Sequence, residues 1–353
     1  MKYDLNLLNQ YVDKGWVLKQ DHPTLPLSIY NYSRGVQYEK LWDPITLNCR
    51  GLVLDVDGNI VAKAFPKFFN YEELTEDSIP KQTFEVFEKM DGSLGIFFHY
   101  NGEWHMATRG SFTSEQAIKG MEIAKRNGLD IKCVPGFTYL FEIIYPENRI
   151  VVDYGTDERL VLLSIVNPEG NEIPYEEIEM DGWDIVNRYD GVNDFKTLKE
   201  MISNDAEGYV IRFSRGMRMK IKGDEYVRLH RILTNFSTTD IWELMRTKGN
   251  MNEFLDRVPD EFDNWVKGVV SDLNSKFYEL QNKAAIFVDR LRYNGILAGM
   301  PLDKKAFASY VMQESIELRP IMFAMWDQKS YDDIIWKMIK PKWSKPFKKD
   351  NDN

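Results

Sequence analysis

Cysteine is nearly missing from this chain and histidine is scarce, with two cysteines and four histidines among 353 residues. Cys49 and Cys133 are too few for a disulfide framework and form no Cys-x-x-Cys spacing, so they read as reduced intracellular thiols. His22, His99, His105 and His230 show no metal-ligand spacing. Nowhere do apolar residues run long enough to span a bilayer, and Met1-Lys2-Tyr3-Asp4-Leu5-Asn6 begins no apolar signal run. A soluble, cytoplasmic protein with no membrane partner is therefore expected. Surplus positive charge is lacking as well. The net charge of −10 argues against indiscriminate coating of nucleic acid, although it leaves room for a local basic groove. What the chain does have is core material, 43% apolar and 13% aromatic, in a length that suggests two domains.

Apolar residues at Leu5, Leu8, Tyr11 and Val12 make a helical face that Gly15 ends. From Leu27 to Lys67 short strand-like pieces alternate with turns, and residues 52–61 read as a hairpin around Asp57-Gly58. Phe84 to Lys89 reads as a strand. The turn Asp91-Gly92-Ser93 and a second apolar run, Leu94 to Phe98, complete an expected hairpin in which Gly92 lets backbone approach a ligand. Strands are expected at Glu103 to Arg109, Phe137 to Ile144, Leu160 to Val166, Gly208 to Phe213 and Met217 to Lys222. A helix after Thr113-Ser114-Glu115-Gln116, read as a capping box, closes at Gly128. The strands are not separated by regular helices, which disfavours a doubly wound parallel sheet. Past Ile232 the pattern changes: from Glu261 to Ile296 apolar residues recur at steps of three and four. Asp303 and Ser330 read as later N-caps, and Pro301, Pro320 and Pro341 as breaks between helices. The basic run Lys337, Lys340, Lys342, Lys345, Lys348 and Lys349 ends the chain. The fold class is α+β: residues 1–235 form a domain of antiparallel sheets with flanking helices, and residues 236–353 a smaller all-α domain.

Strand alternation picks out the charges that matter. In Thr138-Tyr139-Leu140-Phe141-Glu142-Ile143-Ile144, Glu142 shares a face with Leu140 and Ile144, where a carboxylate needs a cation, metal or hydroxyl partner. In Arg218-Met219-Lys220-Ile221-Lys222 the three cations share one face. Glu207-Gly208 opens a strand continued by Val210 and Ile211. A lysine delivered by a strand into a turn, as Lys89 is, can attack phosphorus if it loses a proton. Its reference pKa of ~10.4 means that neighbouring cations must make it more acidic.

In order, Lys89-x-Asp91-Gly92-Ser93, Glu142, Glu207-Gly208-Tyr209 and Lys220-x-Lys222 resemble motifs I, III, IV and V of the covalent nucleotidyltransferases, the superfamily of ATP-dependent ligases and capping enzymes. The chain is most similar to the T4 RNA ligase 1 family. That similarity rests on Cys49-Arg50-Gly51, Lys67-Phe68-Phe69-Asn70, Gly110-Ser111-x-x-Ser114-Glu115-Gln116-Ala117, Asn148-Arg149-Ile150-Val151 and Tyr226-Val227-x-Leu229-His230. The resemblance implies an ATP-dependent RNA ligase that uses Mg2+, with Mn2+ as an alternative. Lys89 would be the nucleophile, with Lys220 and Lys222 on the α-phosphate. Arg50 and Lys67 would hold the outer phosphates, and Glu88 and Gly92 would join the nucleotide-binding set. Glu142 and Glu207 would meet the ribose hydroxyl or the magnesium water shell, and Asp91 that shell or Lys89. The implied partner is RNA with 5′-phosphate and 3′-hydroxyl ends, nicked tRNA among the candidates, prepared by a polynucleotide kinase-phosphatase. The helical domain would recognise that RNA. A DNA ligase or capping guanylyltransferase of the same superfamily, in which the resemblance implies an OB-fold after the double lysine, stays open at this point. So does a non-catalytic RNA- or nucleotide-binding module.

Overall fold

The computed structural model describes residues 2–342 apart from 179–181, 192–193, 204, 225, 228–235, 256–257, 259–261 and 298–302. Leu229, His230, Ile232, Glu261, Pro301, Lys345, Lys348 and Lys349 lie outside the described residues. The chain divides into two units, Met1–Leu233 and Thr234–Asn353.

The first unit is built on three sheets. One has the order β1 (Val17–Asp21), β2 (Leu27–Tyr32), β3 (Arg50–Asp55), β4 (Ile60–Ala62). A second runs β10 (Arg159–Val166), β9 (Thr138–Ile144), β7 (Ser93–Tyr100), β8 (Glu103–Ala107). The third runs β11 (Arg188–Tyr189), β6 (Phe84–Lys89), β12 (Gly208–Phe213), β13 (Arg218–Lys222), β5 (Phe69–Asn70). Every pairing is antiparallel except β13 with β5. The flanking helices are α1 (Leu5–Asp13), α2 (Arg34–Glu39), α3 (Pro44–Asn48), α4 (Glu115–Arg126), α5 (Leu129–Lys132) and α6 (Phe195–Glu200).

The second sheet is covered on both faces, which is why its strands read as unbroken apolar runs. Phe97, Phe141 and Ile143 pack with Ile123 and Ala124 of α4. The alternate residues Ile96, Phe98 and Leu140 pack on Leu27, Ile29 and Val53 of the first sheet. Each fully buried side chain of this size contributes ~1.5–3 kcal/mol. The third sheet is two-sided. Val86, Ile211, Phe213, Met219 and Ile221 bury one face against Leu198 of α6. Alternation then leaves Glu85, Phe87, Lys89, Gly208, Val210, Arg212, Arg218, Lys220 and Lys222 on the other.

The expected hairpin at residues 84–98 does not form. β6 pairs with β12 and β11, whereas β7 pairs with β8 and β9, so the chain crosses from one sheet to another at Met90-Asp91-Gly92. A Cβ on Gly92 would lie 2.6 Å from the Ile143 carbonyl oxygen, so this glycine serves a close approach to β9. Strand-turn-strand spacing is the same for a hairpin and for a crossing; only long-range partners distinguish them.

Between Leu27 and Lys67, α2 and α3 replace part of the expected strand and turn pattern. They are too short for helical periodicity, but Ser33 caps the first and Asp43 with Thr46 forms a capping box on the second. Ser114 rather than Thr113 caps α4, accepting from the Ala117 N–H, and with alanine at the third helical position the expected capping box does not form.

In the second unit the described elements are helical: α7 (Thr238–Arg246), α8 (Met251–Leu255), α9 (Asp263–Leu297), α10 (Lys304–Val311), α11 (Arg319–Trp326) and α12 (Asp332–Met338). Ala284, Phe287, Val288 and Leu291 of α9 bury their stripe against Phe307, Val311, Ile321, Met322 and Ile335. The Trp242 indole N–H donates to the Trp336 carbonyl at 2.8 Å, tying α7 to α12. Asp303 caps α10 as expected from sequence. Ser330 does not cap α12, where Tyr331 takes the cap position without a side-chain bond, and Pro320 lies in the first turn of α11 rather than between helices. No helix among the described residues is long and apolar enough to cross a membrane.

Candidate active site

The site is written into the register of the third sheet. Gly208 stands opposite Lys89 on one neighbouring strand and opposite Lys222 on the other. One row across β6, β12 and β13 therefore carries lysine, glycine, lysine, with the outer Cα atoms ~10 Å apart at normal strand spacing. The residue before the glycine closes the gap. Glu207, only 3% exposed, places Oε2 2.7 Å from Lys89 Nζ and Oε1 3.2 Å from Lys222 Nζ. Burial alone would raise the Glu207 carboxyl. Lys89, Lys222 and Lys220 outweigh it and hold the group below the ordinary carboxylate range.

Glycine at 208 is required twice over. Its φ is +147°, and a Cβ there would sit 2.0 Å from the Ile221 carbonyl oxygen.

Glu142 is the second acid of the site. Its Oε1 accepts from the Gly92 N–H at 3.0 Å. Burial pushes its carboxyl up to about 7, against the pull of Lys89 and the Gly92 N–H and with a further push from Glu207 and Asp91. A carboxyl whose folded pKa lies above its unfolded value binds a proton more readily in the folded state. Its contribution to stability is complete below the unfolded pKa of about 4.5 and is lost as pH rises through about 7. Glu207 has the opposite sign, and its contribution is lost only as pH falls below the ordinary carboxylate range. Glu142→Gln is accordingly expected to flatten the decline in stability between about pH 4.5 and 7, measured as denaturation midpoints across that interval. An unchanged slope would remove the burial assigned to this carboxyl.

Asp91 is held by other donors. Its Oδ2 accepts from the Val151 and Val152 N–H groups, each at 2.8 Å, and its Oδ1 from the Tyr226 hydroxyl at 2.8 Å. Its own N–H donates to the Tyr154 hydroxyl oxygen at 2.9 Å. Four bonds thus tie the crossing between sheets to the segment after β9 and to Tyr226, whose ring lies 5.1 Å from Lys222 Nζ. Asp91→Ala strands two buried donors and a half-buried one and is expected to cost about 3 kcal/mol or more. Asp91→Asn should cost less than half of that, because the amide can still accept the two N–H groups and donate to Tyr226. Chemical denaturation of both variants checks the difference, and equal losses would deny this role.

Arg50 and Lys67 have aromatic surroundings. Arg50 begins β3, donates to the Phe65 carbonyl at 3.4 Å and lies 5.4 Å from the Phe68 ring centre. Lys67 is buried among Tyr32, Trp42 and Phe69, its Nζ 5.4–5.5 Å from each ring centre, and donates to Gln37 Oε1 at 3.0 Å. It leads into β5, which pairs with β13 at Asn70 opposite Lys220. Glu88, on the apolar face of β6, accepts from Asn187 Nδ2 at 2.6 Å. The structure thus joins Lys89, Glu207 and Lys222 directly, sets Lys220 and Glu142 within their electrostatic reach, and turns Asp91 and Gly92 to the support of that cluster. The sequence reading did not single out Tyr154, Gln37 or Trp42, and it used Tyr226 only as part of a resemblance. Gly208 did carry a signal, since glycine inside a strand marks a bulge or close approach.

No three or more His, Cys, Asp or Glu side chains converge to hold a metal ion among the described residues. Glu207 is engaged by two ammonium groups and Asp91 by three donors, whereas Glu142 keeps open lone pairs. A hydrated Mg2+ bound through one carboxylate and substrate phosphates fits that donor set, because this ion retains most of its waters.

The site thus gathers Lys89, Lys220 and Lys222 on paired antiparallel strands with Glu207 beside them and Glu142 on the neighbouring sheet. The sequence profile of the RNA ligase family matches residues 48–226, just over half of the chain, and the chain belongs to that family, of the T4 RNA ligase 1 type. It is 25% identical over 329 residues to a candidate bifunctional polynucleotide kinase/RNA ligase of Autographa californica nuclear polyhedrosis virus, covering 85% of this chain and 45% of that one. It is 28% identical over 210 residues to a candidate RNA ligase of Thermovibrio ammonificans, covering 54% of this chain and 55% of that one. The chain thus spans about half the length of the curated relatives that it matches. Among solved structures, an archaeal ATP-dependent RNA ligase aligns over 73% of this chain and 70% of its own at 15% identity, with a TM-score of 0.45.

Proposed function

We propose that this protein is an ATP-dependent RNA ligase that works through a lysyl-AMP intermediate. The observation that carries the reading is the row Lys89–Gly208–Lys222 bridged by buried Glu207, which gathers a nucleophile and positive charge on one face of the third sheet. Lys89 is paired with Glu207, so attack requires that pair to open and the amine to reach the phosphorus without its extra proton. The Lys89 nitrogen then bonds to the α-phosphorus of ATP as the bond to pyrophosphate breaks. Lys220 and Lys222 offset the charge growing on the phosphate oxygens. Arg50 and Lys67 hold the outer phosphates. Glu142 would hold Mg2+, or Mn2+ in its place, which would supply further neutralisation of phosphate charge, and Glu207 positions the nucleotide; Glu88, on the opposite face of β6, takes no part.

An RNA 5′-phosphate next attacks the same phosphorus, breaking the bond to Lys89 and leaving a 5′–5′ pyrophosphate. A 3′-hydroxyl then attacks the RNA phosphorus and AMP departs, sealing the strand. Each step is a displacement at phosphorus, so one set of cations serves all three by positioning. RNA bearing 5′-phosphate and 3′-hydroxyl ends is the substrate, nicked tRNA among the candidates, with a kinase-phosphatase acting upstream. The helical unit contributes substrate recognition, its Lys337, Lys340 and Lys342 being suited to phosphate contacts. The helical character of the described residues after 237 disfavours the reading as a DNA ligase or capping enzyme with an OB-fold there.

Incubation with labelled ATP or GTP and a divalent cation, followed by a denaturing gel, tests the reading. AMP attachment and sealing of RNA in preference to nicked DNA are expected. Labelling by GTP alone would favour capping chemistry, and no labelling a binding module.

A further inference from the structure

The face of the third sheet that carries Lys89 does not end in solvent at its other end. One register row holds Glu85, Arg212 and Arg218, four residues along their strands from the lysine row. Arg212 Nη1 reaches Glu85 Oε2 at 2.7 Å, and Arg188 of β11 reaches Glu85 Oε1 at 3.3 Å. The decisive member comes from elsewhere. Glu172 follows β10, its backbone bridging to Val166 and its Oε2 accepting from the Ser164 hydroxyl at 3.2 Å, so it belongs to the second sheet. Arg218 grips it with both terminal nitrogens, Nη1 to Oε1 at 2.6 Å and Nη2 to Oε2. Arg212 Nε lies 3.5 Å from the same carboxylate. The Arg218 side chain is 7% exposed, with its guanidinium 4.1 Å from the Phe65 ring centre.

Burial works against the charge on Glu172, and Arg218, then Arg212, outweighs it, holding the carboxyl below its usual range. Buried pairs of this kind add little net stability against apolar replacements, because desolvation consumes the Coulombic gain. What a bidentate pair does supply is fixed geometry. The site has Glu142 on the second sheet and Lys89, Lys220 and Lys222 on the third. At one end the chain itself joins the two sheets, at Met90-Asp91-Gly92. At the other end the joint is Glu172 with Arg218, and Lys220 stands two residues from Arg218 on the same strand face.

We infer that Glu172 and Arg218 form a clasp of positioning residues, which sets the distance of the double-lysine strand from the strand bearing Glu142 and so the placement of Lys220 and Lys222 on a bound nucleotide. The inference rests on the ligase reading for its kinetic consequence but not for its structural one.

Arg218→Lys keeps the charge and loses the fork; Glu172→Gln keeps the shape and loses the charge; the double Glu172→Leu, Arg218→Met replaces the pair by apolar side chains. In all three, amide hydrogen exchange in residues 218–222 is expected to quicken while β7 and β9 keep wild-type protection, and the double variant is expected to remain folded. Provided that the wild-type chain becomes labelled by ATP, AMP attachment at saturating ATP should slow by about ten- to a hundredfold. Half-saturating ATP should move by about threefold or less, because the loss falls on alignment rather than on uniform binding. Unchanged exchange in residues 218–222, or folded variants labelling at the wild-type rate, would overturn the clasp. A wild-type chain that never acquires AMP would instead overturn the ligase reading, leaving exchange to judge the clasp alone.

Discussion

Lys89→Ala protein incubated with ATP and a divalent cation should acquire no covalent AMP, a loss of about 10^3-fold or more, because no other group can take over as the attacking atom. The structure makes the expectation specific to this lysine. Lys222 shares Glu207 with Lys89, yet it lies two strands away across Gly208 and 5.1 Å from the Tyr226 ring centre. Of the two, Lys89 is the more accessible, with 20% of its side chain exposed against 10% for Lys222. The same variant should still seal RNA that carries a preformed 5′-adenylate, since that step needs the cations and not the amine. Comparing labelling with sealing of adenylylated RNA checks both halves. Residual labelling of Lys89→Ala at the wild-type level would move the nucleophile elsewhere.

Gly208→Ala should be the most damaging single methyl that can be added to the first unit. The backbone at φ +147° disfavours any L side chain, and the added carbon would sit 2.0 Å from the Ile221 carbonyl oxygen, an atom that cannot move without breaking the β12–β13 ladder. Strain of about 1–3 kcal/mol from the dihedral adds to overpacking of similar size, so a loss of about 3 kcal/mol or more is expected. Since the residue sits between Lys89 and Lys222, any relief by strand separation also pulls the two ammonium groups off Glu207. Thermal or urea unfolding measures the first effect and AMP attachment the second. A variant with the wild-type midpoint and labelling rate would mean that the row is not held as described.

The contents of the site were legible in the sequence where strand alternation governs. Glu142 shares a face with Leu140 and Ile144, and Arg218, Lys220 and Lys222 share another, because a period of two leaves no freedom once the strands are placed. The limits of β12 could be read for the same reason, and those of β9 to within one residue. What a strand pairs with could not be read. Phe84 to Lys89 and Leu94 to Phe98 look like the arms of a hairpin, and only the contact of Gly92 with β9 shows that they part company. Asp91 looked like a group for metal or lysine, since nothing local announces that Val151, Val152 and Tyr226 would occupy both its oxygens. Lys67 gave no hint of its three rings, because Tyr32 and Trp42 come from segments on either side of α2, a helix too short to register as a period. The Glu172–Arg218 contact was invisible for the same reason: its two members are far apart in sequence and each looks like an ordinary surface charge.

The central claim is that the Lys89 nitrogen becomes bonded to adenylate. Protein incubated with ATP and Mg2+, digested under conditions that preserve phosphoramidates and mapped by tandem mass spectrometry, addresses it directly. One peptide, the one containing Lys89, is expected to be heavier by a single AMP residue. An unmodified Lys89 peptide alongside AMP on another side chain would contradict it.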